Sequence, residues 1–544
     1  MAAPTGSLFQ TRAIQVQEII NKSLDVMLPT LDPVWEDSIV SNQGVGNSDD
    51  IGRDFLIIKT FTGSLTGVID PGGPTTDFTI YGDPSNTSIG AKVFLQGINK
   101  TFPDATQGAN SAPWRLAVPM RSMVTNLMLT LGESQAEATD AFIGEVIVPK
   151  LEGFAKHISQ YLCNYFYLSQ NSYYALCTVT GAGSGTGWSL NADPNAANLV
   201  GMVDTTTDNY CIDRFMVGMR ISFYNTTGAT IRTTASGQTI FMVTAVDELT
   251  GKFYFRAIDN LTLVGCGIVA TDIVVFANSK GSSSTPYAAS PYFTGIAGIN
   301  SWLKYGDTNG STDNASNCLL GDERAGTNSG YSGNVNVNVH PEMKSMQVNN
   351  GSNPMTEQQL RKIMRRWHIA KHKYGQKIDC LIASDGVWLA YEAQKIGRQW
   401  YDRTGRVSSM TKEGSDGGTD YGYGGEFLFT IDGQAIHGYT STYVDKQTIY
   451  GIRKGNGNWK RYSPADPKNV KKNERLPAWV PFRFVGGALT GTGSNQIPIF
   501  SVSNNRTLVT EGVQLPGFLR MQLVPEQPAG LRITNVAEER VYSS

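Results

Sequence analysis

The residues best equipped for chemistry in this chain are few and scattered. His368 and His372 lie four apart on a predicted helix, a spacing that could let two imidazoles share a metal ion. The run from Trp367 to His372 lacks the Glu that completes a zinc-protease motif, so a solvated helix face is the simpler reading. His157, His340 and His437 have no Cys or carboxylate at ligand spacing, and five histidines are thin provision for acid–base work. Gly181 to Gly187 alternates glycine with other residues, but no Gly-Lys-Ser/Thr follows, which makes it a linker rather than a phosphate cradle. No Gly-X-Ser-X-Gly elbow anchors a serine nucleophile. The polar loop Asp307 to Asp313 lacks the spacing and closing Glu of a calcium loop. The six cysteines (163, 177, 211, 266, 318 and 380) contain no Cys-X-X-Cys pair and read as buried thiols, with a late disulfide left open. The expectation is a protein that is not an enzyme and carries no cofactor and no metal.

One constellation is denser. Arg361, Lys362, Arg365, Arg366, Lys371 and Lys373, with His368 and His372, give one helix a strongly positive polar face. Such a face could meet nucleic-acid phosphates without regard to sequence, or it could be a solvated or inter-subunit face. The candidate contact residues are Arg361, Lys362, Arg365, Arg366 and Lys373. A net charge of −2 argues against dedicated sequence-specific DNA binding.

The elements that must position these residues follow from periodicity. The 544 residues suffice for several domains; 17% are charged and 10% aromatic, against disorder and against a helical bundle. With 58 glycines, the composition fits a loop-rich, strand-rich protein whose surface is polar without strong self-repulsion. Residues 12–27 place Ala13, Val16, Ile19, Ile20, Leu24 and Met27 at helical spacing before Pro29, where the helix is expected to stop. Residues 55–117 read as an elongated hairpin with little core of its own. A capping box at Ser134–Glu137 opens a long helix, kinked or restarted at Pro149, with Leu151, Phe154, Ala155, Ile158, Tyr161, Leu162, Tyr165 and Phe166 on one face. Short β-rich runs between 178 and 295 suggest a small barrel of about five strands, inserted so that its two ends return to one point. A second capping box, Thr356 to Gln359, opens a helix with Leu360, Ile363, Met364, Trp367, Ala370, Lys371 and Tyr374 on one face, ended by Gly375. A buried strand from Ile378 to Ala383 and a helix through Trp388 and Tyr391 complete an α/β layer.

No N-terminal basic-plus-apolar leader is visible and no stretch approaches about 18 uninterrupted apolar residues, so folding in the cytosol without a membrane partner is expected.

The order of these elements resembles the major capsid proteins of tailed bacteriophages, the Hong Kong 97-type fold. The resemblance is carried by the stretch from Pro354 through Gly375 to Tyr391, by Phe427 to Gly438 followed by Thr448 to Tyr450, by Leu531 to Glu538, and by the barrel segments from Arg214 to Ile221, Val243 to Asp247 and Thr271 to Phe276. It implies an α+β fold: an N-terminal arm (1–54), an extended loop with flanking strands (55–128), a peripheral domain with its spine helix (129–177 and 296–377), an inserted small β-barrel (178–295), an axial domain (378–475), and C-terminal strands returning to the peripheral domain (476–544). It implies a structural subunit that self-assembles into hexamers and pentamers of an icosahedral phage head around double-stranded DNA. Assembly would take place in the host cytoplasm, with scaffolding protein and portal as partners and room for a decoration protein. Lys92 and Lys100 fall in the region where some members cross-link. The alternative is another β-rich phage structural protein, of the tail or of the decoration or adhesin type; no internal period of 20 to 50 residues supports the fibre version.

Overall fold

The computed structural model describes residues 7–36, 39–45, 121–130, 148–168, 175–180, 188–190, 199–205, 211–226, 228, 230–277, 296, 298–303, 344–372, 375–399, 420–421, 426–431, 434–454, 459–464, 482–484, 501–502, 512–525 and 529–539. All belong to one unit, Met1–Arg53 with Val118–Ser544; the other unit, Asp54–Ala117, lies outside the described residues. So do the hairpin expected over 55–117, Lys92, Lys100, the Ser134–Glu137 capping box, the 181–187 glycine run and the 307–313 loop.

Helix α1 (Ser7–Leu31) packs against α2 (Val148–Tyr167). Ile20, Leu24 and Leu28 of α1 are buried, as are Leu151, Ala155, Ile158, Leu162 and Phe166 of α2, so the 3.6-residue period of each helix faces the other elements of the core. Burying each such side chain contributes about 1.5–3 kcal/mol. The expected stop at Pro29 is displaced: the helix runs on to Leu31. A proline at this position loses the hydrogen bond to the Asp25 carbonyl and crowds that oxygen, a cost confined to the last turn because only two helical residues follow, and Thr30 Oγ1 donates to the Val26 carbonyl at 2.9 Å. Helix α2 begins at Val148 with Pro149 in its first turn, where a missing N–H costs nothing.

The segment expected as an N-terminal arm is built into the body. Strand Val40–Val45 pairs in parallel with Trp459–Pro464, which pairs antiparallel with the long strand Gly512–Pro525. That strand also takes Arg121–Thr130, Phe482–Phe484 and Ser501–Val502.

The insertion is all-β and antiparallel, with seven strands where about five were expected. Their order is Cys177–Thr178, Ile273–Phe276, Arg220–Tyr224, Phe241–Asp247, Lys252–Ala257, Val200–Asp204 and Trp188–Leu190, a ladder whose two ends do not pair with each other among the described residues. The short lead-in strands Cys177–Thr178 and Trp188–Leu190 account for the extra two. The first and last strands of the insertion are neighbours, with Cys177 opposite Val274 and Thr178 opposite Ile273. Phe223, Phe241, Phe253 and Phe255 fill the interior, with Phe223 and Phe255 ring centroids 4.8 Å apart.

After the short helix α3 (Ile299–Trp302) comes a seven-stranded mixed sheet. Its order is Met346–Asn353, Leu531–Val536, Ile449–Ile452, Cys380–Ala383, Gln434–Thr440, Glu426–Ile431 and Asp420–Tyr421. Helices α4 (Glu357–Lys371) and α5 (Asp385–Gln399) contribute Leu360, Met364, Trp367, Val387, Trp388 and Tyr391 to one buried cluster with Leu381, Ala383, Ile449, Leu531 and Ile533. The boundary expected at 377/378 therefore does not separate two cores: Met346–Asn353 and α4 share a core with the strands that follow. Strand Leu531–Val536, expected to return to the peripheral domain, lies second in this sheet, paired on one edge with Met346–Asn353 of that expected domain and on the other with Ile449–Ile452.

Candidate functional site

Helix α4 is fixed at its start by a complete capping box: Thr356 Oγ1 accepts from the Gln359 amide at 3.2 Å, and Gln359 Oε1 accepts from the Thr356 amide at 3.0 Å. Gly375, at φ +71°, donates its amide to the His372 carbonyl and turns the chain after the helix. Between these ends, Leu360, Met364 and Trp367 face the sheet. Arg361, Lys362, Arg365, Arg366, His368 and His372 are all exposed, so the structure brings four of the five candidate residues to the solvent side of one helix. Lys373 lies outside the described residues. Arg361 pairs with Glu357 at 2.7 Å, one turn earlier.

Two positions differ from the sequence reading. Lys371, counted both with the positive face and with the core face, is only 7% exposed, so it belongs to the core face alone, and its ammonium stands 5.8 Å from the Trp367 ring centroid. A lysine one turn after a buried Trp can lay its methylene stem along the ring, which takes it off the polar face. Ala370, counted with the core face, is exposed, as is Ile369 at 80%.

The His368 and His372 rings lie tilted to each other with centroids 4.5 Å apart, and among the described residues no group of three or more His, Cys, Asp and Glu is arranged to hold a metal ion. His157 lies against Tyr161 at 4.9 Å, where burial and the nearby Arg220 lower its pKa. His437 sits on its strand 6.4 Å from the Tyr439 ring, and His340 lies outside the described residues. Cysteines 163, 177, 211, 266 and 380 are buried and none is in a disulfide; Cys318 lies outside the described residues.

The most concentrated polar chemistry is structural and was missed in the sequence. Asp445 Oδ1 accepts from Arg214 Nη2 at 2.5 Å, and Asp445 Oδ2 accepts from Asn300 Nδ2 at 3.0 Å and from the Tyr450 hydroxyl. Lys446 Nζ reaches Asp213 at 2.7 Å beside it. Burial works to raise the Asp445 pKa, but Arg214 and Arg532 overcome it and hold the carboxyl below its usual range. These bonds tie the insertion to the α/β sheet. Phe276 adds an apolar tie, with the rings of Tyr161 and Tyr165 of α2 tilted against it at 4.4 and 4.8 Å.

A second buried group, Asp32, accepts from the Val34 amide at 3.1 Å and from Ser441 Oγ at 2.9 Å. Burial pushes its pKa up to about 6 against the opposing pull of those two hydrogen bonds and of Tyr167. Cys163 and Tyr167 of α2 and Tyr443 are the titratable groups beside it. No short-range signal marks either cluster, because the partners stand 231 and 409 residues apart. Among the described residues, no helix is long and apolar enough to cross a membrane.

No protein-family model matches the chain, and no curated protein does. Among solved structures it is similar to the holo-SrpI encapsulin complex from Synechococcus elongatus PCC 7942, at 14% identity over 36% of this chain and 56% of that one, with a TM-score of 0.20. It is also similar to the capsid asymmetric unit of cyanophage A-1(L), at 14% identity over 44% of this chain and 66% of that one, with a TM-score of 0.23. The chain thus spans less than two thirds of either matched protein.

Proposed function

We propose that this chain is a shell-forming structural protein, the major capsid subunit of a tailed-phage head of the Hong Kong 97 type. The observation that carries the reading is the order in which one sheet is built. A long helix comes first, then an insertion whose ends meet, then α4, the buried strand Cys380–Ala383 and α5, and last the strand Leu531–Val536 filling a place left in the same sheet. That order of elements is what supports the resemblance. In this reading many copies assemble as hexamers and pentamers around double-stranded DNA, with scaffolding protein, portal and a decoration protein as partners and the virion capsid as destination. The near-balance of 45 basic and 47 acidic residues supports it, since identical subunits must pack without accumulating repulsion.

Negative-stain microscopy and sedimentation of the expressed chain test the reading. Closed particles of one radius, formed by the chain alone or on co-expression with a scaffolding protein, are expected. A population that stays monomeric under both conditions overturns it.

A further inference from the structure

We propose that the solvent face of α4 binds the phosphodiester backbone of double-stranded nucleic acid without reading its sequence. The surface stands on the charge pattern of a single helix, and it rests on the shell reading only for the identity of the polymer.

Arg361, Arg365, His368 and His372 recur at intervals of four, three and four residues, so they form one line along the helix, and Lys362 and Arg366 form a second line beside it. All six are exposed. Over 11 residues the first line runs about 16 Å, facing a polymer that carries one charge per ~1.7 Å of axis. The single acid on α4, Glu357, lies in its first turn, where it pairs with Arg361. Arginine forks and a lysine on a rigid rod suit phosphate oxygens, and rigidity is supplied from below by the capping box and by buried Leu360, Met364 and Trp367. The competing occupant is an acidic surface on a neighbouring subunit, to which the exposed Ile369 would add an apolar contact.

The test uses the full chain and a fluorescent random-sequence DNA duplex of about 20 base pairs, titrated between roughly 50 and 200 mM salt. Lys362→Gln, Arg365→Gln and Arg366→Gln are combined in one variant. A control variant, Lys22→Gln, Lys156→Gln and Arg256→Gln, removes the same charge from exposed sites elsewhere. Neutralising one phosphate-binding side chain near 0.1 M salt weakens binding roughly tenfold and lowers the slope of log affinity against log salt by about 0.9. The α4 variant is therefore expected to bind far more weakly, with a slope shallower by about 2.7, while the control stays near wild type. Circular dichroism checks that both variants fold. The proposal is overturned by absent binding in the wild type, by an unchanged slope in the α4 variant, or by an equal loss in the control. It is also overturned if the α4 variant keeps its affinity but loses particle formation, which would assign the face to a subunit contact. Particle sizing of the wild type reports on the shell reading separately, so loss of either conclusion leaves the other standing.

Discussion

The insertion and the α/β sheet each contain seven strands, yet the middle strands of the first pair in chain order while the second is completed by a strand from the far end of the chain. In the insertion, Arg220–Tyr224, Phe241–Asp247 and Lys252–Ala257 pair in the order in which they occur, and the bidentate pair Arg232–Asp272 joins residues 40 apart. In the sheet, Leu531–Val536 lies between Met346–Asn353 and Ile449–Ile452, and Cys380–Ala383 needs both Gln434–Thr440 and Ile449–Ile452. Local pairing costs little loop-closure entropy, whereas distant pairing must be repaid by burial elsewhere. The insertion can therefore close on its own strands, while the sheet stands only as a collective.

Paired deletions give the sharpest test of that contrast. Replacing residues 179–272 by a two-residue Asn-Gly turn joins Thr178 to Ile273, which already face each other, and the remainder should unfold cooperatively in denaturant. Removing residues 529–539 takes out the second strand of the sheet and should abolish cooperative unfolding; the reverse outcome would erase the distinction. A smaller effect is expected from Trp367→Ala. The ring is 2% exposed and its Nε1 has no hydrogen-bond partner among the described residues, so the loss is one of packing, about 3–5 kcal/mol by chemical denaturation. Hydrogen exchange within Phe241–Ala257 should stay unchanged; faster exchange there would mean the two regions share one cooperative unit.

Asp32 sharpens the picture of the host region through pH. Its folded pKa of about 6 lies above the ordinary 3.8, so the folded state holds the proton more tightly. Stability from this group is full below about pH 4 and lost as pH rises through 6, by roughly 3 kcal/mol in total. Asp32→Asn should flatten that fall in a series of denaturation curves; an unchanged profile would place the titration elsewhere. Arg214→Ala, at the join between the regions, should cost about 2 kcal/mol, less than for a fully buried pair because Asp445 keeps 28% exposure. Combined with Asp445→Asn it should be less than additive; strict additivity would show that the bond does not couple the regions.

What the sequence made legible was whatever a short stretch decides by itself. The Thr356–Gln359 cap, the inward placing of Leu360, Met364 and Trp367, and the turn at Gly375 each depend on residues within one or two helical turns. Four of the five candidate contact residues were placed on a solvent-facing helix for the same reason. Lys371 was counted on both faces because a charged residue with a long apolar stem fits either, and only the neighbouring Trp367 ring decides. The partner strands of Leu531–Val536 were hidden, since hydrophobic alternation marks a strand without saying what it pairs with. Asp32 with Ser441, and Arg214 with Asp445, were hidden likewise: each looks like a surface residue until a partner hundreds of positions away meets it. Close backbone approach was equally unreadable. Gly298 sits where an added Cβ would stand 2.2 Å from the Tyr165 carbonyl oxygen, and Gly386 where one would stand 2.5 Å from the Glu539 carbonyl oxygen.

The late place of Leu531–Val536 also acts during synthesis. At roughly 5 to 20 residues per second, the ribosome needs on the order of 4 to 16 seconds to pass from Ile452 to Leu531. Throughout that interval Ile449–Ile452 and Met346–Asn353 each show an unpaired edge where this strand will lie. A nascent chain is thus kept from presenting its finished surface until translation has almost run its course, and fragments released by stalled ribosomes are left without the completed sheet.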